Sequence, residues 1–133
     1  MGVAVASIES YRDLKVWQAA MDLAVSIYAA TSIFPQAELY GLTSQMRRAA
    51  TSVAANIAEG YGRESTGSYV HFLKIARGSL KEAETLVILS ERLKLLTGDQ
   101  SLTLLGNTTG IGKMLNALIR SLQEKLQSGF SED

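Results

Sequence analysis

The sequence contains no cysteine, one proline and one histidine, and each scarcity excludes a class of structure or chemistry. Without cysteine the chain can form no disulfide, no thiolate metal site and no cysteine nucleophile, which is typical of a protein of the reducing cytoplasm. The single histidine, His71, leaves no histidine pair to hold a metal ion. The single proline, Pro35, leaves long stretches in which a helix can run without interruption.

Long apolar runs are absent as well. No stretch approaches the roughly 20 apolar residues that span a bilayer, so the sequence predicts no membrane association. The first ten residues lack the basic start and the apolar core of a secretory signal, and we therefore expect a cytoplasmic protein. With 133 residues, 47% of them hydrophobic and 20% charged, the composition is typical of one folded domain.

The charges cancel over the whole chain but not along it. Thirteen basic residues balance thirteen acidic ones, so net charge gives no reason to expect a nucleic-acid partner. Between Leu39 and Lys81, however, six basic residues face only two acidic ones. Such a local excess is either an ordinary solvated helix face or a surface that contacts phosphates, and the pattern leaves both interpretations open.

The strongest pattern in the sequence is helical periodicity. Apolar residues recur at helical spacing in four segments, which predict helices over about 14–32, 42–61, 66–96 and 100–127. Short connections between them favour an antiparallel, up-down-up-down four-helix bundle, an all-α fold that occupies residues 11–127 as a single domain. Residues 1–10 and 128–133 are predicted to be a flexible leader and a flexible tail.

The second helix is predicted to be the central element, because three different faces can be distinguished on it. Its apolar stripe consists of Leu42, Met46, Ala49, Val53 and Ile57. One flank carries a polar row, made of Gln45, Arg48, Ser52, Asn56, Glu59 and Arg63. The other flank carries three small residues, Ala50, Ala54 and Ala58. A helix with three such faces is expected to contact more than one neighbour. The alanine flank predicts either self-association or a wider core within one chain.

The third helix is expected to be apolar over more surface than one neighbour can cover. Its first apolar row is Tyr69, Phe72, Ala76, Leu80, Ala83 and Val87. Its second row is Ile75, Ser79, Leu86, Leu89, Leu93 and Leu96. The second row predicts either self-association or a wider core within one chain. Gly78 interrupts the middle of this helix, which predicts a close helix contact there.

The first and fourth helices have simpler patterns. The first is expected to bury Trp17, Ala20, Ala24, Ile27 and Tyr28. The fourth is expected to bury Leu102, Leu105, Gly112, Leu115, Ile119, Leu122 and Leu126. The second helix should end at Gly60 or Gly62 in a left-handed cap.

Two N-terminal signals are also present. Ser10 and Asp13 are spaced as a capping arrangement before the first helix. Ser65 and Thr66 are candidate N-caps for the third helix.

No arrangement of side chains predicts catalysis. His71 stands alone, and neither Glu84 nor Glu91 belongs to the Glu-x-x-His motif that a di-iron bundle needs twice. Gly60 and Gly62 follow no strand and lack the lysine of a phosphate-binding loop. We therefore expect no catalytic residue, metal, cofactor or small-molecule substrate.

Five segments resemble a known family, the bacterial four-helix bundle proteins associated with intervening sequences of large-subunit ribosomal RNA genes. They are YRDLKVW at 11–17, YGLTSQMRRA at 40–49, NIAEGYGR at 56–63, FLKIARGSL at 72–80 and, more weakly, IGKML at 111–115. The run Asn56-Ile57-Ala58-Glu59-Gly60 is the most specific of these matches.

This resemblance implies an antiparallel four-helix bundle that assembles into a ring-shaped homopentamer with no established biochemical activity. A more distant resemblance is to the accessory protein of diversity-generating retroelements, which associates with a reverse transcriptase and nucleic acid. The sequence departs from the family at Ala54, where many members have proline, and in being neutral where a nucleic-acid binder is expected to be basic.

Two functional classes follow, both of them non-enzymatic. The first is an oligomeric scaffold or protein-interaction module; the alternative is an accessory protein that binds structured RNA, with Tyr61 or Tyr69 available for stacking. The candidate residues for either contact are Gln45, Arg47, Arg48, Ser52, Asn56, Glu59, Arg63, Lys74 and Arg77. An intersubunit or structural role is favoured for the polar row over nucleic-acid contact, because Glu59 would repel phosphate where Arg48 and Arg63 attract it.

Overall fold

The computed structural model describes residues 7–128, in which four α-helices carry the fold. They are α1 (Lys15–Thr31), α2 (Ser44–Tyr61), α3 (Thr66–Arg92) and α4 (Gly98–Gln127). The predicted all-α four-helix bundle is confirmed, and residues 7–128 contain no strand. Most of the predicted leader and tail lies outside the described residues.

Contacts between neighbouring helices fit the antiparallel order. Arg47, near the start of α2, donates to Thr31 at the end of α1 over 3.0 Å. Met46 in the same turn of α2 accepts a hydrogen bond of 3.3 Å from Ser90, near the end of α3. On the far side of the bundle, Arg77 in α3 donates to Asn116 in α4 over 3.1 Å.

The core is formed by one face of each helix. The α2 stripe is confirmed in full, since all five of its predicted apolar residues are buried. Facing it are fully buried side chains of the other three helices, among them Leu23, Ile27, Leu73, Leu80, Val87, Ile111 and Leu115. Deep burial of α2 against both α1 and α3 is what makes it the central element of the bundle.

The first half of α4 is rotated from its predicted facing. Leu102, expected in the core, is 72% exposed, whereas Ser101, Leu104 and Thr108 are buried. Two of those three core positions hold hydroxyl residues, so apolar spacing alone pointed to the wrong face. Thr108 satisfies its hydroxyl within the helix by donating to the carbonyl of Leu105 over 2.9 Å.

The end of α3 comes four residues earlier than predicted. The helix stops at Arg92, and Lys94 adopts a positive φ of 62° that turns the chain back. The amides of Leu95 and Leu96 then donate to the carbonyl of Ser90 at 2.9 and 3.3 Å. Leu96 is buried through this turn rather than through a continuing helix.

The glycines have different roles from those expected. Gly62 follows α2 with a right-handed φ of −78°, so the predicted left-handed cap is wrong. Gly60 lies inside α2, where an added Cβ would come within 2.8 Å of the Cβ of Phe72, so glycine is needed for close packing. An added Cβ on Gly78 would meet no atom within 4 Å. The predicted close contact at Gly78 is therefore wrong within one chain.

Both predicted caps form. Ser10 and Asp13 make a reciprocal capping box, but around a 3-10 turn at Tyr11–Asp13 that precedes α1. The hydroxyl of Ser65 accepts from the amide of Ser68 at the start of α3 over 3.1 Å. The start of α2 is two residues later than predicted, because Leu39–Thr43 forms a π-helical segment interrupted by a non-helical Gly41.

Candidate functional site

The polar row of α2 lies beside α3, and its centre is used to join the two helices. The hydroxyls of Ser52 and Ser79 are 2.8 Å apart. The side-chain amide of Asn56 donates to the carbonyl and hydroxyl of Ser52 at 2.9 and 3.0 Å. Ser52 and Asn56 are half-buried, and these hydrogen bonds within the protein account for polar side chains at this position.

The ends of the row are exposed and are paired locally. Glu59 and Arg63 form an ion pair of 3.6 Å with both side chains about half exposed, so it stabilises the fold only slightly. The Arg63 guanidinium also stacks 4.6 Å from the ring centre of Phe72. Arg48 donates to Ser44 over 3.2 Å, while Gln45 is exposed to solvent.

Arg47 occupies a different side of the bundle. Its guanidinium donates to the hydroxyl of Thr31 at 3.0 Å and to the carbonyl of Tyr28 at 3.4 Å. It also lies 4.5 Å from the centre of the Tyr28 ring. Arg47 thus connects α2 to α1 and is not part of the polar row.

Lys74 and Arg77 belong to a third side, where α3 meets α4. Arg77 donates to Asn116 of α4, and Lys74 lies one turn before it on the same face of α3. The nine candidate residues are therefore spread over three sides of the bundle. The structure brings together only the α2 row as one surface.

An apolar groove between α1 and α2 is the surface that the sequence reasoning missed. This α1–α2 groove has a volume of about 460 Å³. It is lined by Tyr11, Trp17, Met21, Ala24, Val25, Tyr28, Thr51, Ala54, Ala55 and Ala58. Val25 is 67% exposed at its edge. The alanine flank of α2 indicated a surface here, because the small side chains of Ala54 and Ala58 leave space between the two helices.

The second apolar row of α3 is only partly covered. Leu86 and Leu96 are buried and Ser79 is half-buried, so part of the row simply widens the core of one chain. Three of its members remain exposed; we refer to Ile75, Leu89 and Leu93 as the α3 outer row. It lies on the opposite flank of α2 from the α1–α2 groove.

Two tyrosines considered for stacking pack against each other instead. The rings of Tyr61 and Tyr69 meet edge to face at 6.1 Å. Burial, with a smaller effect from neighbouring Tyr61, raises the pKa of Tyr69 to about 12. These rings close one end of the α2–α3 contact and are not splayed for a base.

The lone histidine shows no catalytic surroundings. His71 is exposed on α3, and its ring meets that of Phe72 edge to face at 5.5 Å. Over residues 7–128 no three acidic, histidine or cysteine side chains come close enough together to hold a metal ion. None of the helices in that part of the chain combines the length and apolarity needed to cross a membrane.

Comparison with known proteins agrees with the fold and the sequence motifs. The 23S rRNA-intervening sequence protein family matches residues 12–117, most of the chain. A comparison with functionally curated proteins gave no significant match.

A solved structure is similar over nearly its whole length. It is a crystal structure of a protein with unknown function, from the S23 ribosomal protein family, of Bacteroides thetaiotaomicron VPI-5482. It has a TM-score of 0.71 and 26% sequence identity, and the match covers 78% of this chain and 97% of that one. The four helices, the matched region and this likeness together assign the chain: it belongs to the 23S rRNA-intervening sequence protein family.

Proposed function

We propose that the protein is a non-enzymatic assembly protein whose copies join through the α1–α2 groove. The observation that carries this proposal is the groove itself, a continuous apolar surface that no described side chain covers. Covering this surface with a second protein chain would remove its apolar side chains from water, which favours association. Two of its exposed residues, Met21 and Val25, have no part in the core of one chain.

The occupant of the groove is the α3 outer row of a second copy. The groove is apolar, and the outer face of α3 exposes Ile75 and Leu89, with Leu93 directly after the end of the helix. Between them α2 presents Thr51 and Ala55, whose small side chains let a neighbouring helix approach closely. Because the two surfaces differ and lie on different flanks, the contact is head-to-tail. Such a contact forms a ring when its rotation closes and an open filament when it does not, and the resemblance favours the ring.

Five copies is the number that the resemblance implies for the ring. A ring repeats every surface of the chain, so a weak contact with another protein is strengthened by avidity. We propose that this scaffold acts in the cytoplasm, since a chain without cysteine does not use the disulfides that form in oxidising compartments.

Size-exclusion chromatography with light scattering at micromolar concentration tests the proposal. Wild type should have a mass about five times the 14.3 kDa of one chain. Val25→Asp places a carboxylate in the groove and should give a monomer. Leu102→Asp is the matched control, since Leu102 is comparably exposed but lies on α4, and it should keep the ring. A wild-type monomer, or an assembled Val25→Asp, would refute the proposal.

RNA binding through the polar row of α2 has weaker support. Its central residues bond to α3 or to each other, and Arg63 is shared between Glu59 and Phe72. The double variant Arg48→Ala with Arg63→Ala decides the role of the row. Loss of the ring would indicate a subunit contact, whereas loss of RNA binding with the ring intact would indicate phosphate contact.

A further inference from the structure

A cluster of basic side chains runs along the line where α3 meets α4. Lys74, Arg77 and Lys81 follow each other by three and four residues on α3, so they share one face. Lys113 and Arg120 lie in the same way on α4, with Asn116 between them. We call these five basic residues the α3–α4 basic seam.

The register of the two helices aligns the two rows. Arg77 donates to Asn116 over 3.1 Å, and an added Cβ on Gly112 would lie 3.6 Å from Leu80. Because the helices are antiparallel, Lys74 then lies opposite Arg120, and Lys81 lies opposite Lys113. Each row is about 10 Å long, from a rise of about 1.5 Å per residue, and packed helices lie about 8 to 10 Å apart.

Most of this charge is not neutralised by the protein. Lys81 pairs with Glu84 at 3.1 Å, and Arg77 is bonded to the neutral Asn116. Lys74, Lys113 and Arg120 are exposed and make no ion pair or hydrogen bond with any residue in 7–128. Glu124, one turn beyond Arg120, is the acidic residue that limits the seam at that end.

We propose that the α3–α4 basic seam binds the phosphate backbone of a double-stranded nucleic acid. Two aligned rows of cations can meet phosphates of two strands at once, and each contact releases condensed counterions. Neither stretch of the seam, 74–81 or 113–120, contains an aromatic residue. Without a stacking platform the seam does not suit the unpaired bases of a single strand.

The position of the seam is compatible with assembly. The seam lies on the opposite side of the bundle from the α1–α2 groove. On α3 its residues are centred about 100° around the helix from the outer row, so a ring formed through the groove and that row leaves the seam open. A ring would bring several seams to one duplex and strengthen binding through avidity. A monomeric chain should still bind, only more weakly, so this inference does not depend on the proposed function.

Fluorescence anisotropy with a short RNA duplex and a DNA duplex of the same sequence tests the seam. Affinity of the full-length chain should fall steeply between about 50 and 200 mM salt. Lys113→Gln with Arg120→Gln should weaken binding about tenfold or more at low salt and reduce the salt slope by about two. Lys15→Gln with Lys94→Gln removes the same charge elsewhere and should leave both values unchanged.

Each outcome of this experiment either supports or overturns binding of a nucleic-acid duplex by the seam. Binding to one duplex only supports the seam and names the nucleic acid. Absence of binding to either duplex, or seam and control variants that behave alike, overturns the proposal. Binding to phosphatidylserine vesicles in place of both duplexes also overturns it. Circular dichroism and mass of the seam variant confirm that fold and assembly are intact.

Discussion

The two opposite sides of the bundle differ in what they leave exposed. The α1–α2 side exposes apolar residues around a groove. On this side Arg47 connects α2 to α1 through its contacts with Thr31 and Tyr28. The α3–α4 side exposes cations with few partners. Both sides cover the same apolar core, so the core does not explain why one side exposes apolar residues and the other exposes cations. An apolar surface suits a second protein chain, whereas a cationic surface suits a solvated or anionic partner.

Both sides depend on the α2 stripe, so the largest expected effect comes from breaking it. Val53→Asp would place an unpaired carboxylate at a fully buried position. We expect it to lower the free energy of unfolding by about 3 to 5 kcal/mol, a large part of ordinary domain stability. Gln45→Asp on the exposed face of α2 is the control. Equal denaturant midpoints for the two variants would show that the facing of α2 is wrong.

Alanine substitutions at two helical glycines should change the free energy of unfolding by smaller amounts and distinguish a packed helix surface from an open one. Gly60→Ala must displace Phe72, and overpacking of this kind should cost about 1 to 3 kcal/mol. Gly78→Ala has open space around it and should stabilise the chain by about 0.5 to 1 kcal/mol. Urea denaturation in the Val25→Asp background, which we expect to be monomeric, measures both effects. Stabilisation by Gly60→Ala would contradict the close packing of α2 on α3.

The smallest effect is a pH dependence on the α2–α3 side. Because the pKa of Tyr69 is raised from 10.0 to about 12, the folded state holds its proton more tightly than the unfolded state does. The stabilisation of the folded state by protonated Tyr69 is complete below pH 10 and is lost as pH rises towards 12. Tyr69→Phe should therefore lose less stability over that interval than wild type.

The control for this measurement is Tyr40→Phe, since Tyr40 is almost fully exposed. Thermal melts between pH 9 and 12 should show the same decline for Tyr40→Phe and wild type. A Tyr69→Phe variant that declined as steeply would show that Tyr69 does not titrate differently in the folded state.

The fold could be predicted wherever core positions hold apolar residues. Every position of the α2 stripe is apolar, and its facing is confirmed. In α4 the buried positions Ser101 and Thr108 hold polar residues, so the apolar spacing wrongly predicted that Leu102 is buried. The end of α3 was missed because Leu96 continues the helical spacing while the chain has already turned at Lys94.

The surfaces were harder to predict, because they depend on which helices are neighbours. Arg47 and Arg48 are adjacent in sequence, yet one binds α1 and the other faces solvent. The α3–α4 basic seam needs the register that Arg77 and Asn116 define. The α1–α2 groove needs two helices side by side, so the alanine flank of α2 could indicate a contact surface there but not the groove itself.

The proposed head-to-tail contact between copies is tested most directly by mixing two variants that each disrupt one of its two surfaces. Val25→Asp destroys the α1–α2 groove, and Leu89→Asp destroys the α3 outer row. Each variant alone should be a monomer of 14.3 kDa by light scattering. The equimolar mixture should form a complex of twice that mass, because one intact groove meets one intact row. A mixture that stays monomeric, or a single variant that still assembles, would contradict this account.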